Sequence, residues 1–175
     1  AIALLVQSAL SPEWTHLPPS WLQPASEPQV KEIAETLGRI HSGSVLRFKL
    51  LANPTRKIGT KTTADGRKNN GKRVELRGEE EWLAWLERKA GQSGFRLKAV
   101  RASAHVPDVR SGRDLRATGL EKRSDGSSSR LTFYGVAFEG RLEVVDTALF
   151  HAGLLAGIGS GKAYGYGLLS LAPGA

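Results

Sequence analysis

Five of the eleven residues from Gly157 to Gly167 are glycine, in the run Gly157-Ile-Gly-Ser-Gly-Lys-Ala-Tyr-Gly-Tyr-Gly167. So dense a run is kept out of helix and strand interiors by its backbone entropy and fits a loop that needs unusual φ/ψ. It follows the apolar segment Thr147–Ala156, which reads as a short helix, and precedes Ala163–Leu171, which reads as a last strand. The chain must therefore close as helix, glycine loop, strand. Such a loop can bring backbone N–H groups to an anion, and Lys162 adds a positive charge. The plainer reading is a tight helix-to-strand turn. Two familiar phosphate-binding loops do not fit. A Walker A loop needs glycine where Ala156 stands and Ser or Thr where Ala163 stands, and a dinucleotide fingerprint needs glycine where Lys162 or Tyr164 stands.

The rest of the chain supplies the partners of that closure. Residues 3–10 (ALLVQSAL) read as a buried strand. From Ser11 to Pro28 five prolines forbid long regular structure, and Trp14 and Trp21 are expected to pin this connection to a core. Gln29–Ile40 suits helix or strand. Ser44–Ala52 alternates as a strand stopped by Asn53-Pro54. A basic loop follows, carrying Arg56, Lys57, Lys61, Arg67, Lys68, Lys72 and Arg73, with turn signals at Asp65-Gly66 and Asn69-Asn70-Gly71. It is read as mobile, or as a loose hairpin ending in Lys72–Arg77.

Glu79–Ala90 is the clearest helix: three glutamates open it, Arg88 and Lys89 close it as the helix dipole favours, and Gly91 supplies a stop. Its Trp82, Leu83, Trp85 and Leu86 form a core-facing stripe. Phe95–Ser103 reads as a strand, 104–129 as basic and irregular, and Leu131–Val145 as two runs with a possible hairpin turn at Glu139-Gly140. From Ser44 the order is β, basic insertion, α, β, β-hairpin, α, β, which is the split βαβ order of a ferredoxin-like unit. The expected class is α+β.

The chain has 25 Lys+Arg against 17 Asp+Glu, a formal net charge of +8, and no Cys or Met. Disulfide scaffolds, thiolate zinc sites and cysteine nucleophiles are excluded. No run of about 18 apolar residues predicts a transmembrane helix, and the opening apolar stretch lacks the basic flank of a signal peptide. The charge points to an anionic partner, nucleic acid before a membrane surface. No His, Asp or Glu spacing suggests a metal site.

The pattern Gly, apolar, Gly, five residues with a base, Gly, apolar, Gly resembles the glycine-rich loop of the RAMP superfamily of CRISPR-associated RNA-binding proteins. The tail Gly165-Tyr-Gly-Leu-Leu-Ser-Leu-Ala-Pro173 narrows the likeness. So do Leu46-Arg-Phe-Lys-Leu-Leu-Ala-Asn-Pro54, Glu81-Trp-Leu-Ala-Trp-Leu-Glu-Arg-Lys89, Val136-Ala-Phe-Glu-Gly-Arg-Leu-Glu-Val-Val145 and Leu5-Val-Gln-Ser8. Together they resemble the CasE family, the repeat-RNA-processing endoribonucleases of type I-E CRISPR systems. The resemblance implies tandem ferredoxin-like (RRM-like) domains, the first one incomplete here: 1–43 as the remainder of an N-terminal domain and 44–175 as the C-terminal one. It implies metal-independent cleavage of precursor CRISPR RNA beside a repeat stem-loop. There the 2′-hydroxyl attacks the adjacent phosphate and leaves a 2′,3′-cyclic phosphate. It also implies retention of the guide RNA in the Cascade complex, cytoplasmic location, and no small-molecule cofactor. The family's catalytic His and Tyr belong to a first strand-helix segment on the order of 30 residues long. The expectation is that this chain begins after it and has no general base of its own; His16, His41, His105 and His151 match no catalytic position.

For RNA contact the resemblance brings forward a basic hairpin around Asp125-Gly126, with Lys122, Arg123 and Arg130, and the loop residues Gly159, Gly161 and Lys162. Arg56, Lys57, Lys61, Lys72, Arg73 and Arg113 are weaker candidates, with Arg110 and Arg116 beside them. Three other readings remain open: a non-catalytic RNA-binding subunit, an RRM-like module, and a basic membrane-surface protein.

Overall fold

A computed structural model describes residues 5–22, 27–59, 71–101, 106–122 and 126–174. The turn signals at 65–66 and 69–70, and Lys61, Arg67, Lys68, His105, Arg123 and Asp125, lie outside these. The chain divides into two compact units, Ala1–Ile40 and His41–Ala175.

The first unit holds a 3-10 turn at Pro19–Trp21 and a short helix α1, Ala34–Gly38. The strand expected over 3–10 is not formed among the described residues 5–10, where Leu5, Val6 and Leu10 are exposed. A buried strand needs ladder partners, and the described residues of this unit contain no other strand to pair with it. Trp21 is 74% exposed and pins nothing.

The second unit is built on β1 (Val45–Ala52), β2 (Thr55–Ile58), β3 (Lys72–Glu75), α2 (Glu79–Gln92), β4 (Phe95–Leu97), β5 (Val109–Lys122), β6 (Ser128–Val144), α3 (Thr147–Ala156) and β7 (Leu169–Pro173). The main sheet runs β4-β6-β1-β7, antiparallel throughout. With β2, β3 and β5 set aside as insertions, this is the strand order of a ferredoxin-like βαββαβ unit. β2 and β3 pair separately as the expected hairpin.

The period of two sorts the sheet's faces. Phe48, Leu50 and Ala52 of β1 and Val136, Phe138, Leu142 and Val144 of β6 are buried together. Trp85 of α2 stacks on Phe138 at 6.2 Å, and Phe150 of α3 meets Phe95 edge-on at 5.9 Å. The alternate positions carry charge, with Lys49 paired to Glu139 at 2.8 Å and Glu143 held by Arg96 and Lys98. At the start of α2 the Arg77 N–H donates to Glu81 Oε2, and in α3 Asp146 Oδ1 caps the Leu149 N–H at 2.9 Å.

Four expectations change. The helix α2 runs through Gly91, whose surroundings are open, and ends at Gln92, two residues past the expected end, with Gly94 taking φ +70° just beyond its C-cap. The strand expected over 95–103 shortens to Phe95–Leu97, with an isolated bridge at Ala99–Pro107. Glu139-Gly140 is no turn: β6 passes straight through it, because β1 holds one edge there and β5 the other. The 104–129 region is largely the 14-residue strand β5. Its charged, exposed sequence hid it, since a two-stranded ribbon buries neither face and leaves no alternation to read. Among the described residues no helix is long and apolar enough to cross a membrane.

Candidate nucleic-acid interface

Beyond the last β1 pair, Ala52–Val136, β6 continues alone with β5 as a ribbon reaching the Lys122–Ser128 pair. Leu120 stands opposite Arg130 and Arg116 opposite Tyr134. Period-two alternation therefore sets Arg116, Lys122 and Arg130 on one face of the ribbon. Between Arg116–Tyr134 and Arg113–Val136 the register shifts, so β5 carries one extra residue. This bulge re-phases the strand and brings Arg113 to the same face. Arg113 lies 5.8 Å from the Trp82 ring of α2, and Arg116 lies 5.3 Å from the Tyr134 ring. Four cations thus share one ribbon face, and Arg116 ranks with the leading candidates. Arg110 pairs with Glu139 on the opposite face.

The glycine loop crosses the same end of β1. Its five glycines all have positive φ, from +73° to +94°. Ile158 is buried and its N–H donates to Gly167 O at 2.8 Å, while the Gly167 N–H donates to Leu51 O at 2.7 Å. The N–H groups of Tyr164, Gly165 and Tyr166 also go to carbonyls inside the loop. Much of the expected anion nest is therefore committed to holding the loop against β1. Gly159 shows why a side chain is excluded: a Cβ there would lie 2.8 Å from Trp85 Cζ2. Lys162 to Tyr164 form a 3-10 turn, which delays the last strand from the expected Ala163 to Leu169. Lys162 is exposed, and Tyr164 packs on Phe133 at 4.7 Å.

Asn53, the buried polar residue at the end of β1, ties these parts together. Its Oδ1 accepts from the Tyr134 N–H at 3.4 Å and its carbonyl accepts from Ser160 Oγ at 3.2 Å. Arg73 donates to Thr55 Oγ1 at 3.3 Å, and Thr55 and Ser160 hydroxyls meet at 3.3 Å.

Against this junction lies a cleft of about 400 Å³. Arg56, Lys57 and Arg73 enter it from the β2–β3 hairpin, and Arg88 and Lys89 from the last turns of α2. Burial, then the charges of Arg88, Arg73 and Lys162, push the Lys89 ammonium below the usual lysine range. Sequence reasoning treated Arg88 and Lys89 only as complements to the helix dipole. Their i, i+3 and i, i+4 spacing from Trp85, which lines the same cleft, was the available signal. Lys72 sits on β3, opposite Ile58. Among the described residues no group of three or more His, Cys, Asp or Glu side chains converges as metal ligands would. His16 lies beside Glu13, His41 Nδ1 meets Ser42 O, and His151 flanks Phe150.

A family model described as CRISPR associated protein matches residues 1–173. The chain is 36% identical over 182 residues to the CRISPR-associated endoribonuclease Cse3 of Thermus thermophilus, covering 97% of this chain and 72% of that protein. It is 32% identical over 176 residues to the CRISPR system Cascade subunit CasE of Escherichia coli, covering 96% of this chain and 79% of that one. A solved structure of Thermus thermophilus Cse3, bound to an RNA representing a pre-cleavage complex, superposes with a TM-score of 0.55 at 38% identity. That superposition covers 77% of this chain and 56% of the solved chain, so the superposed part spans little more than half the length of that relative. With the family match over nearly every residue, the glycine loop closing a ferredoxin-like unit, and both named relatives above 30% identity, the chain belongs to the CRISPR-associated protein family that contains Cse3 and CasE.

Proposed function

We propose that this chain is the RNA-holding part of a Cse3/CasE-type CRISPR repeat-RNA endoribonuclease, and that the repeat stem-loop lies on the β5–β6 ribbon. The observation that carries the reading is the β5–β6 register, whose alternation sets Arg116, Lys122 and Arg130 on one face and whose bulge adds Arg113 to it. Duplex RNA is recognised through phosphates, 2′-hydroxyls and shape rather than base edges, and a row of cations on a narrow ribbon is suited to that. Lys162, on the loop that packs against the base of the ribbon, extends the positive surface, while Gly159 and Gly161 let the loop close on Trp85, Tyr166 and Phe133. Residues 1–43 are read as the remainder of a first ferredoxin-like domain.

In the whole protein the reaction is 2′-hydroxyl attack on the adjacent phosphate. It gives a 2′,3′-cyclic phosphate and a 5′-hydroxyl without a metal, followed by retention of the guide RNA within Cascade in the cytoplasm. Such a reaction needs a base, an acid and charge stabilisation. The ribbon and loop cations supply binding and charge; no histidine of this chain is assigned as the base.

The test is one gel. The chain, verified by intact mass, is mixed with a CRISPR repeat hairpin in EDTA, and bound and cleaved RNA are resolved. Binding without cleavage is expected. Cleavage would place a general base within these residues, and absence of binding would remove the reading.

A further inference from the structure

The cleft beside the glycine loop holds charge that the ribbon does not account for. Among the described residues Arg56, Lys57, Arg73, Arg88 and Lys89 line it together, and no carboxylate does. Among the described residues Glu81 reaches Arg56 at 3.5 Å, while Lys57, Arg73, Arg88 and Lys89 have no carboxylate within ion-pair distance. Lys57 and Arg73 stand directly opposite each other on the β2–β3 ladder. Like charges in that position are destabilising, and an anion between them relieves the repulsion.

The cations are also positioned. Ser160 Oγ donates to the Asn53 carbonyl, so the hydroxyl proton between Thr55 and Ser160 comes from Thr55. Thr55 Oγ1 in turn accepts from Arg73. This relay fixes Arg73 relative to the loop, with its remaining guanidinium donors left for a ligand. The floor is Trp85, only 3% exposed, stacked on Phe138 and covered at its edge by Gly159. It offers no open ring face for a base. A concave cationic site without a stacking platform reads phosphate, and three arginine forks suit phosphate oxygens. At about 400 Å³ the cleft has the size of a small-ligand site, and takes a backbone segment rather than a duplex.

We propose that this cleft is a second RNA subsite, separate from the ribbon, that holds two consecutive phosphates of a single-stranded segment adjoining the stem-loop. The proposal rests on the RNA-binding reading above.

The test compares three RNAs, the repeat stem-loop alone and the same stem-loop extended by about eight unpaired nucleotides at its 5′ end or at its 3′ end. Each is titrated against the parent chain, the double variant Arg88→Ala/Lys89→Ala, and the single variant Arg88→Ala, which alters an exposed side chain. The parent is expected to bind one extended RNA more tightly than the bare stem-loop. The double variant is expected to lose that increment and keep its affinity for the bare stem-loop. Arg88→Ala should lose part of it.

Two phosphate contacts on a single strand contribute about 1.4 to the slope of log K against log salt. The gap between parent and double variant should therefore narrow about sevenfold from 50 to 200 mM salt. Equal affinity and slope for both extended RNAs in all three proteins would overturn the subsite; a cleft that serves an acidic protein segment gives that result. Failure of the parent to bind even the bare stem-loop would overturn the RNA reading and the subsite with it.

Discussion

Replacing Gly159 by alanine probes how tightly the glycine loop is locked onto the sheet. Two costs add. The residue has φ +90°, where an L-residue is strained by about 1–2 kcal/mol. Its new Cβ would also meet Trp85 Cζ2 at 2.8 Å and Cη2 at 3.0 Å. Trp85 cannot slide away, because it is buried and stacked on Phe138. Overpacking of that kind costs about 1–3 kcal/mol. The sum is about 2–5 kcal/mol, a large part of the roughly 5–15 kcal/mol that holds a typical domain. Gly165 is the control, since it has φ +84° but nothing within 4 Å of a Cβ. Gly165→Ala should therefore show the backbone cost alone, about 1–2 kcal/mol. Urea unfolding followed by tryptophan fluorescence reads both. With a slope of about 2 kcal/mol/M, Gly159→Ala should lower the midpoint by about 1–2.5 M and Gly165→Ala by about 0.5–1 M. Equal midpoints for the two variants would refute the contact between the loop and Trp85.

Other consequences follow from single contacts. Asp146→Ala removes the cap on α3 and should cost about 0.5–2 kcal/mol by thermal or urea unfolding, with Asp146→Asn recovering most of it. Hydrogen bonds from Lys98 and then Arg96 hold the Glu143 carboxyl below the usual carboxylate range. A depressed folded pKa gives stability that is present above the ordinary glutamate pKa and lost as pH falls through the folded value. Glu143→Gln should therefore flatten the loss of stability in acid below about pH 4.5, and an unchanged acid profile would contradict the pairing. Asn53→Ala leaves the Tyr134 N–H and the Asn53 site without the side-chain oxygen and should cost about 1–3 kcal/mol in urea unfolding.

How much of this was legible depends on whether a residue's role is local. The apolar stripe of α2, the strand β1 and the split βαβ order could be read because burial on one face leaves a period. The ribbon could not, because Arg116–Lys122 is exposed at every position and its structure comes from a ladder with residues of β6. The same limit hid the continuity of β6, whose Glu139-Gly140 pair resembles a turn until both its edges are seen to be occupied. At the site, Lys122, Arg130 and Lys162 stood out by charge and resemblance. That Arg116 shares a face with Lys122 and Arg130 needed the β5–β6 register, that Arg113 joins them needed the bulge, and that Arg88 and Lys89 share a cleft with Arg73 needed the fold. The apolar start of the chain shows the converse error: Leu5, Val6 and Leu10 satisfy a strand pattern, yet are exposed without a ladder partner.

The most direct test of the central claim is the salt dependence of binding to a CRISPR repeat stem-loop, measured in EDTA for the parent chain and for Arg116→Ala/Lys122→Ala/Arg130→Ala. If the ribbon face holds the stem, three phosphate contacts are lost and the slope of log K against log salt falls by about 2–3. A triple variant with the parent's affinity and slope would contradict the account.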